Sequence, residues 1–288
     1  MAIRTSDAIL LGVAVACVSA SAPLIAACSA PALAIAMYRC GLGALLTAAW
    51  MLASRRPIRI PGGTTRALWP GLALAAHFAA WIPSLRLTTV ALSTAMISTQ
   101  PVWSALMARV TGRRIWTGIG LSVVGVLILT GFGGHLDARN LAGMALALLG
   151  AVLAAVYVGF GERLRASTDM GSYTTVVYGL AGASLLIVCL LAGVTLTGFS
   201  TSDWLLIGAI TLVAQIGGHS AMNAVVHRVS ATVVSTAILF EAPGAAILAA
   251  LFLGQSVGFS LVAGLTVMLF GLVLVVRGSR PSTAESGV

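Results

Sequence analysis

Side chains able to do chemistry are scarce in this sequence, and most of them sit inside apolar runs. Gln215, His219 and Asn223 recur at i, i+4 and i+8, which places them on one face of a helix with Met222 beside them. His77, Trp81 and Ser84 follow i, i+4 and i+7 in an earlier run. Gln100 and Trp103 stand at i and i+3 in the next run, beside Pro101, whose missing N–H loosens a helix and frees a carbonyl. Tyr157 lies in a run further on. Such groups offer hydrogen bonds plus aromatic faces, a combination that suits a ring or an apolar side chain. The expected binding set is therefore His77, Trp81, Gln100, Trp103, Tyr157, Gln215, His219 and Asn223, with Pro101 and Pro243 as helix-breaking positions.

Each of these residues also has a structural reading. Gln215, Asn223 and Ser84 could simply join helices, and His77 and His219 could bond neighbouring helices in the same way. Trp81 lies near the end of its run, where an interfacial belt is the competing role; Trp50, Trp69, Trp116 and Trp204 are expected in that belt. Two formal charges fall inside apolar runs, Arg39 and Glu241. Either they pair with each other, or Arg39 attracts a substrate carboxylate and Glu241 takes part in coupling.

The chemistry that is missing narrows the field. The four histidines (His77, His135, His219, His227) are scattered, so a di-iron enzyme is not expected, and no Walker motif is present. The four cysteines lie in or beside apolar stretches without metal-ligand spacing. No enzyme activity, cofactor or metal is expected.

The elements that must position these groups are membrane helices. Hydrophobic residues make up 59% of the 288, only 8% are charged, and the mean hydropathy is +1.05. A soluble domain of this size cannot cover its surface with so little charge, so the apolar excess must face a lipid bilayer. The formal charge of +9 does not indicate nucleic acid, because the arginines stand singly or in small groups between apolar runs. Expected spans are 8–26, 33–53, 68–85, 91–109, 116–133, 141–161, 172–197, 203–222, 231–252 and 257–276, the eighth open to extension. Arg4 with the apolar run from Ala8, and Ile25-Ala26-Ala27-Cys28, resemble processing signals; an uncleaved first helix is expected instead. With both termini in the cytoplasm, Arg86 and Arg139 alone face outward, so a multi-pass protein of a bacterial-type inner membrane is expected in that orientation.

A shift of 142 positions superposes His77 on His219, Arg86 on Arg228, Ser93 on Ser235, Pro101 on Pro243 and Gly112 on Gly254. It divides the chain into two five-helix halves, 1–137 and 138–288, the second inserted upside down. Such inverted repeats are characteristic of transporters. The expected class is thus an all-α membrane protein of ten transmembrane helices, a 5+5 inverted repeat around a central cavity.

The stretch Ala231 to Gly278 resembles the closing signature of the drug/metabolite transporter superfamily, EamA-type: small residues, a Glu and a Pro, an LxLG turn, then a Gly-rich last span. Tyr38-Arg39 resembles that family's aromatic–Arg pair. The sequence departs from the pattern in Gln255, where an acid is usual, in Glu-Ala-Pro for Glu-Pro, and in Arg109-Val110-Thr111-Gly112 at the matching turn of the first half. The resemblance implies ten helices in a 5+5 repeat and export of metabolites or amino acids. Within the superfamily the sequence looks like the YddG-type aromatic amino-acid exporters. The small multidrug relatives exchange protons at a first-helix Glu, which is absent here. The expected partner is a small-molecule substrate, moved by a facilitative exporter of amino acids, aromatic ones among them. A proton-coupled antiporter using Glu241 and a non-transporting membrane scaffold are the alternatives.

Overall fold

The computed structural model describes residues 4–88, 90–130, 137–244, 247–248 and 259–278, and among these the chain is helical with no strand. The helices are α1 Thr5–Ser19, α2 Ser21–Ala27, α3 Ala32–Ala53, α4 Leu68–Leu87, α5 Val90–Ile97, α6 Gln100–Met107, α7 Arg113–Thr130, α8 Ala138–Arg165 and α9 Met170–Leu191. After α10 Thr201–Ala209 comes a π-helix, Ile210–Ser220, followed by α11 Ala221–Val229, α12 Ala231–Ile238 and α13 Phe259–Gly278. Gly254, Gln255 and His135, named above, lie outside the described residues.

Among the described residues, six helical stretches are long and apolar enough to cross a membrane: Thr5–Ala27, Ala32–Ala53, Thr64–Leu87, Ala138–Arg165, Met170–Leu191 and Thr201–Val229. Their outward faces are greasy; Leu191 is 84% exposed and Leu205 70%. Bare apolar surface of this kind requires an apolar solvent. The chain is therefore a multi-pass membrane protein.

Helix ends follow local chemistry. Asp137, Asp169 and Ser200 cap α8, α9 and α10, their side chains accepting from the N–H of Asn140, Ser172 and Asp203. The run expected over 172–197 stops at Leu191. Gly193 adopts φ 64° there, and the N–H groups of Gly193 and Val194 donate to the carbonyls of Leu190 and Cys189. This is the glycine-closed C-terminus of an α-helix. The eighth span extends to Val229 rather than 222.

Two helices break beside their prolines. Pro101 and Pro243 carry no N–H for the carbonyls of Ile97 and Leu239, four residues back. The chain turns at Ser98–Thr99 and at Leu239–Phe240. Val102 then donates to Thr99, and Ala242 to Leu239, in tight three-residue steps.

Packing joins α3 to α9, α4 to α8, α1 to the π-helix and α11, α6 to α12, and α7 to α13. The last pair meets backbone to backbone, since a methyl on Gly118 would strike the Gly271 carbonyl and Val275, and one on Gly271 the Ser122 side chain. Gly118→Leu should therefore destabilise the protein by about 1–3 kcal/mol. Gly120→Leu, where nothing lies within 4 Å, should change stability by less than about 0.5 kcal/mol. Unfolding titrations of the purified protein in detergent with increasing SDS check both.

Candidate functional site

A cavity opens where α1, α2, α4, α5, α6, α8, the π-helix, α11 and α12 converge. Six of the eight residues expected to bind a substrate line it: His77, Trp81, Gln100, Tyr157, His219 and Asn223. Glu241 and Ser21 line it as well, with an apolar remainder that includes Val18, Ile97, Met222 and Ile238.

The aromatic part is ordered by α4. His77 and Trp81, one turn apart, stack with ring centroids 5.9 Å apart and planes within 7°. The His77 ring is fixed by a hydrogen bond from Nδ1 to the Gly150 carbonyl of α8, 2.9 Å. Trp81 is buried, so it belongs to the interior and not to a belt; Trp50 and Trp69 are exposed. Phe78 meets both histidines, its ring centroid 4.8 Å from that of His77 in a tilted contact and 5.4 Å from that of His219 in a T-shaped one.

The polar part is organised around Asn223. Its Nδ2 donates to the Tyr157 hydroxyl at 2.6 Å and to that of Tyr178 at 3.3 Å. Tyr178 also meets the Ser220 hydroxyl at 3.1 Å, and Ser220 donates to the Gln215 carbonyl at 3.3 Å. From below, Arg165 Nε donates to the Asn223 carbonyl at 2.8 Å. Buried polar groups in such a network hold their geometry because each alternative leaves a group unpaired.

Gln215 and Trp103 are not among the lining residues. Gln215 lies in the π-helix and is fully buried. Gln215 instead accepts from Arg39 Nε at 2.9 Å. Trp103 belongs to α6, which starts afresh after the Ser98–Thr99 turn, and stands about 60° around the helix from Gln100. Its indole N–H donates to Thr99 Oγ1 at 3.1 Å. Ser84 ties α4 to α5 through Ser93, 2.7 Å away.

Arg39 is fully buried and is not paired with Glu241. Its guanidinium lies 4.0 Å over the Phe78 ring, and Nη1 donates to Ser21 Oγ at 3.3 Å. Its Nη2 has no hydrogen-bond partner among the described residues. The ion pair among the described residues is Arg228 with Asp7, 2.7 Å. Sequence reasoning passed over Ser21, Phe78, Tyr178 and Ser220. A polar aromatic residue in mid-span, as Tyr178 is, was the available signal; Ser21 carried none. Among the described residues no three His, Cys, Asp or Glu side chains gather as a metal site.

Residues 141–277 match the model of the EamA-like transporter family. This part of the chain belongs to that family. The match implies membrane transport of the drug/metabolite superfamily type. A solved structure described as "Crystal structure of protein" is similar over 95% of this chain and 98% of its own, with a TM-score of 0.77 at 16% identity. That likeness extends the fold over both halves. A search of curated proteins finds no match.

Asn223→Ala should cost about 1–3 kcal/mol, since it strips the shared donor from two buried tyrosine hydroxyls. Thermal melting of the detergent-purified variant, set against wild type, measures the loss.

Proposed function

We propose that this EamA-like transporter exports amino acids, aromatic ones among them, by alternating access between two five-helix halves, without proton coupling. The observation that carries the reading is the composition of the cavity wall. Residues at matching positions of the two halves come to it in two pairs, His77 with His219 and Trp81 with Asn223, and each half adds residues flanking its proline break, Ile97 and Gln100 in the first and Ile238 and Glu241 in the second. A cavity built from both halves in this way can open to either side by rocking one half against the other.

Further features support a 5+5 inverted repeat. Exchanging the halves leaves the packing neighbours unchanged, because α3 packs on α9, α6 on α12 and α7 on α13, while α4 with α8 answers to the π-helix with α1. Both halves break a helix beside a proline. Arg86 reaches the carbonyls of Ile25, Cys28 and Ala30 beyond the end of α2, whereas its counterpart Arg228 grips Asp7 at the start of α1. The two matching arginines thus mark opposite ends of the first span, as inversion requires. On this reading the chain crosses a bacterial-type inner membrane ten times with both termini in the cytoplasm, the arrangement favoured by its arginine distribution.

The aromatic stack of His77 and Trp81 and the fixed Tyr157–Asn223 pair suit an amino acid with an apolar or aromatic side chain. Proton-coupled antiport is the second reading, because Glu241 lines the same cavity. Proteoliposomes loaded with labelled phenylalanine or threonine should release them down their gradients, with or without an imposed pH difference. Absence of flux for both sinks the amino-acid reading, and flux that vanishes without the pH difference transfers the case to antiport. Trp81→Ala should weaken competition by aromatic amino acids about tenfold, while Trp103→Ala leaves it unchanged.

A further inference from the structure

The paired wall carries differences as well as likenesses. Histidine answers histidine, but Trp81 of the first half stands where the second half has Asn223, and of the two residues that open the segments after the proline breaks Gln100 is neutral while Glu241 is acidic. A ligand in this cavity therefore meets two chemically distinct ends. Glu241 opens the helical turn 241–244 beyond the Leu239–Phe240 break and is buried, 9% exposed. Among the described residues its carboxyl group has neither a hydrogen bond nor an ion pair; the ion pair there belongs to Arg228 and Asp7. The guanidinium of Arg39 is engaged by Gln215, Ser21 and the Phe78 face.

A carboxylate without a partner, away from water, is costly, and a cationic group brought beside it removes that cost. The surroundings select the kind of cation. Ca²⁺ and Mg²⁺ want six or more oxygen ligands and Zn²⁺ a set of His, Cys or carboxylate groups, and no cluster of three His, Cys, Asp or Glu side chains stands here among the described residues. An ammonium needs one carboxylate, with aromatic faces and neutral hydrogen-bonding groups nearby, which His77, Trp81 and Gln100 supply.

We infer that Glu241 receives the ammonium group of the substrate while the apolar body of the same molecule lies against the stacked His77–Trp81 pair. The ligand class is a primary amine with an apolar or aromatic tail, held in one orientation between the halves. This assignment rests on the exporter reading of the cavity, which it makes specific.

Calorimetric titration of the full-length protein in detergent with L-phenylalanine, phenethylamine and 3-phenylpropionate tests it. Wild type should bind both amines at least about tenfold tighter than the acid that lacks the amino group. Glu241→Gln should weaken both amines about tenfold or more and leave 3-phenylpropionate within about threefold, while Glu241→Asp keeps the preference for amines. Melting temperatures recorded alongside identify any variant that fails to fold, and the wild-type comparison stands without a variant. Equal binding of amine and des-amino probe by wild type overturns the inference, as does absence of phenethylamine binding. An undiminished amine preference in Glu241→Gln overturns it too, and phenylalanine flux by that variant would then leave the exporter reading in place. Glu241-dependent amine binding without phenylalanine flux in proteoliposomes supports the subsite and removes the exporter reading.

Discussion

Arg39 is fully buried with no carboxylate within ion-pair distance among the described residues, and the helices around it are arranged to hold its charge. The ring of Phe78 lies under the guanidinium, Gln215 accepts from Nε, and the Ser21 hydroxyl accepts from Nη1. A cation over an aromatic face gains most where solvent is excluded. Because those three partners come from α4, the π-helix and α2, the charge draws separate elements of both halves to one point. Phe78 in turn touches both cavity histidines, so the electrostatic anchor and the cavity wall share a side chain.

The second organising feature is the break beside each proline. Gln100 and Glu241 each open the helical segment that follows the turn, and Ile97 and Ile238 end the segments before it. An unbroken helix presents one continuous stripe; a broken one can present both rims of its gap. The cavity takes lining residues from both sides of both breaks. Irregular backbone at membrane depth is tolerated where it is buried in protein or borders a cavity, and here it does the latter.

Much of this was legible in the residues alone. The apolar excess required a bilayer, and the i, i+4 spacing of His77 and Trp81 holds because α4 runs as an ordinary α-helix through that turn. Helical spacing alone did not separate wall from support: Gln215 shares the spacing of His219 and Asn223 yet is held by Arg39. Trp103 shares α6 with Gln100 but stands about 60° around it and is bonded to Thr99 instead. Ser21 was hidden for a different reason, since a hydroxyl that joins helices and one that borders a cavity look the same in a sequence. The partner of Arg39 could not be read either, because a cation over a ring needs no opposite charge to announce it.

The π-helix has a consequence for length. Its eleven residues close their hydrogen bonds one residue later than an α-helix does, so a given number of residues advances less far along the axis. Chain wound in wide turns is chain held in reserve. Were part of that stretch to rewind as α-helix, the rod from Thr201 to Val229 would lengthen and its two ends would rotate against each other. His219 lies within the wide turns and Asn223 just beyond them, so the pitch of this one segment sets the angle between two neighbours on the cavity wall.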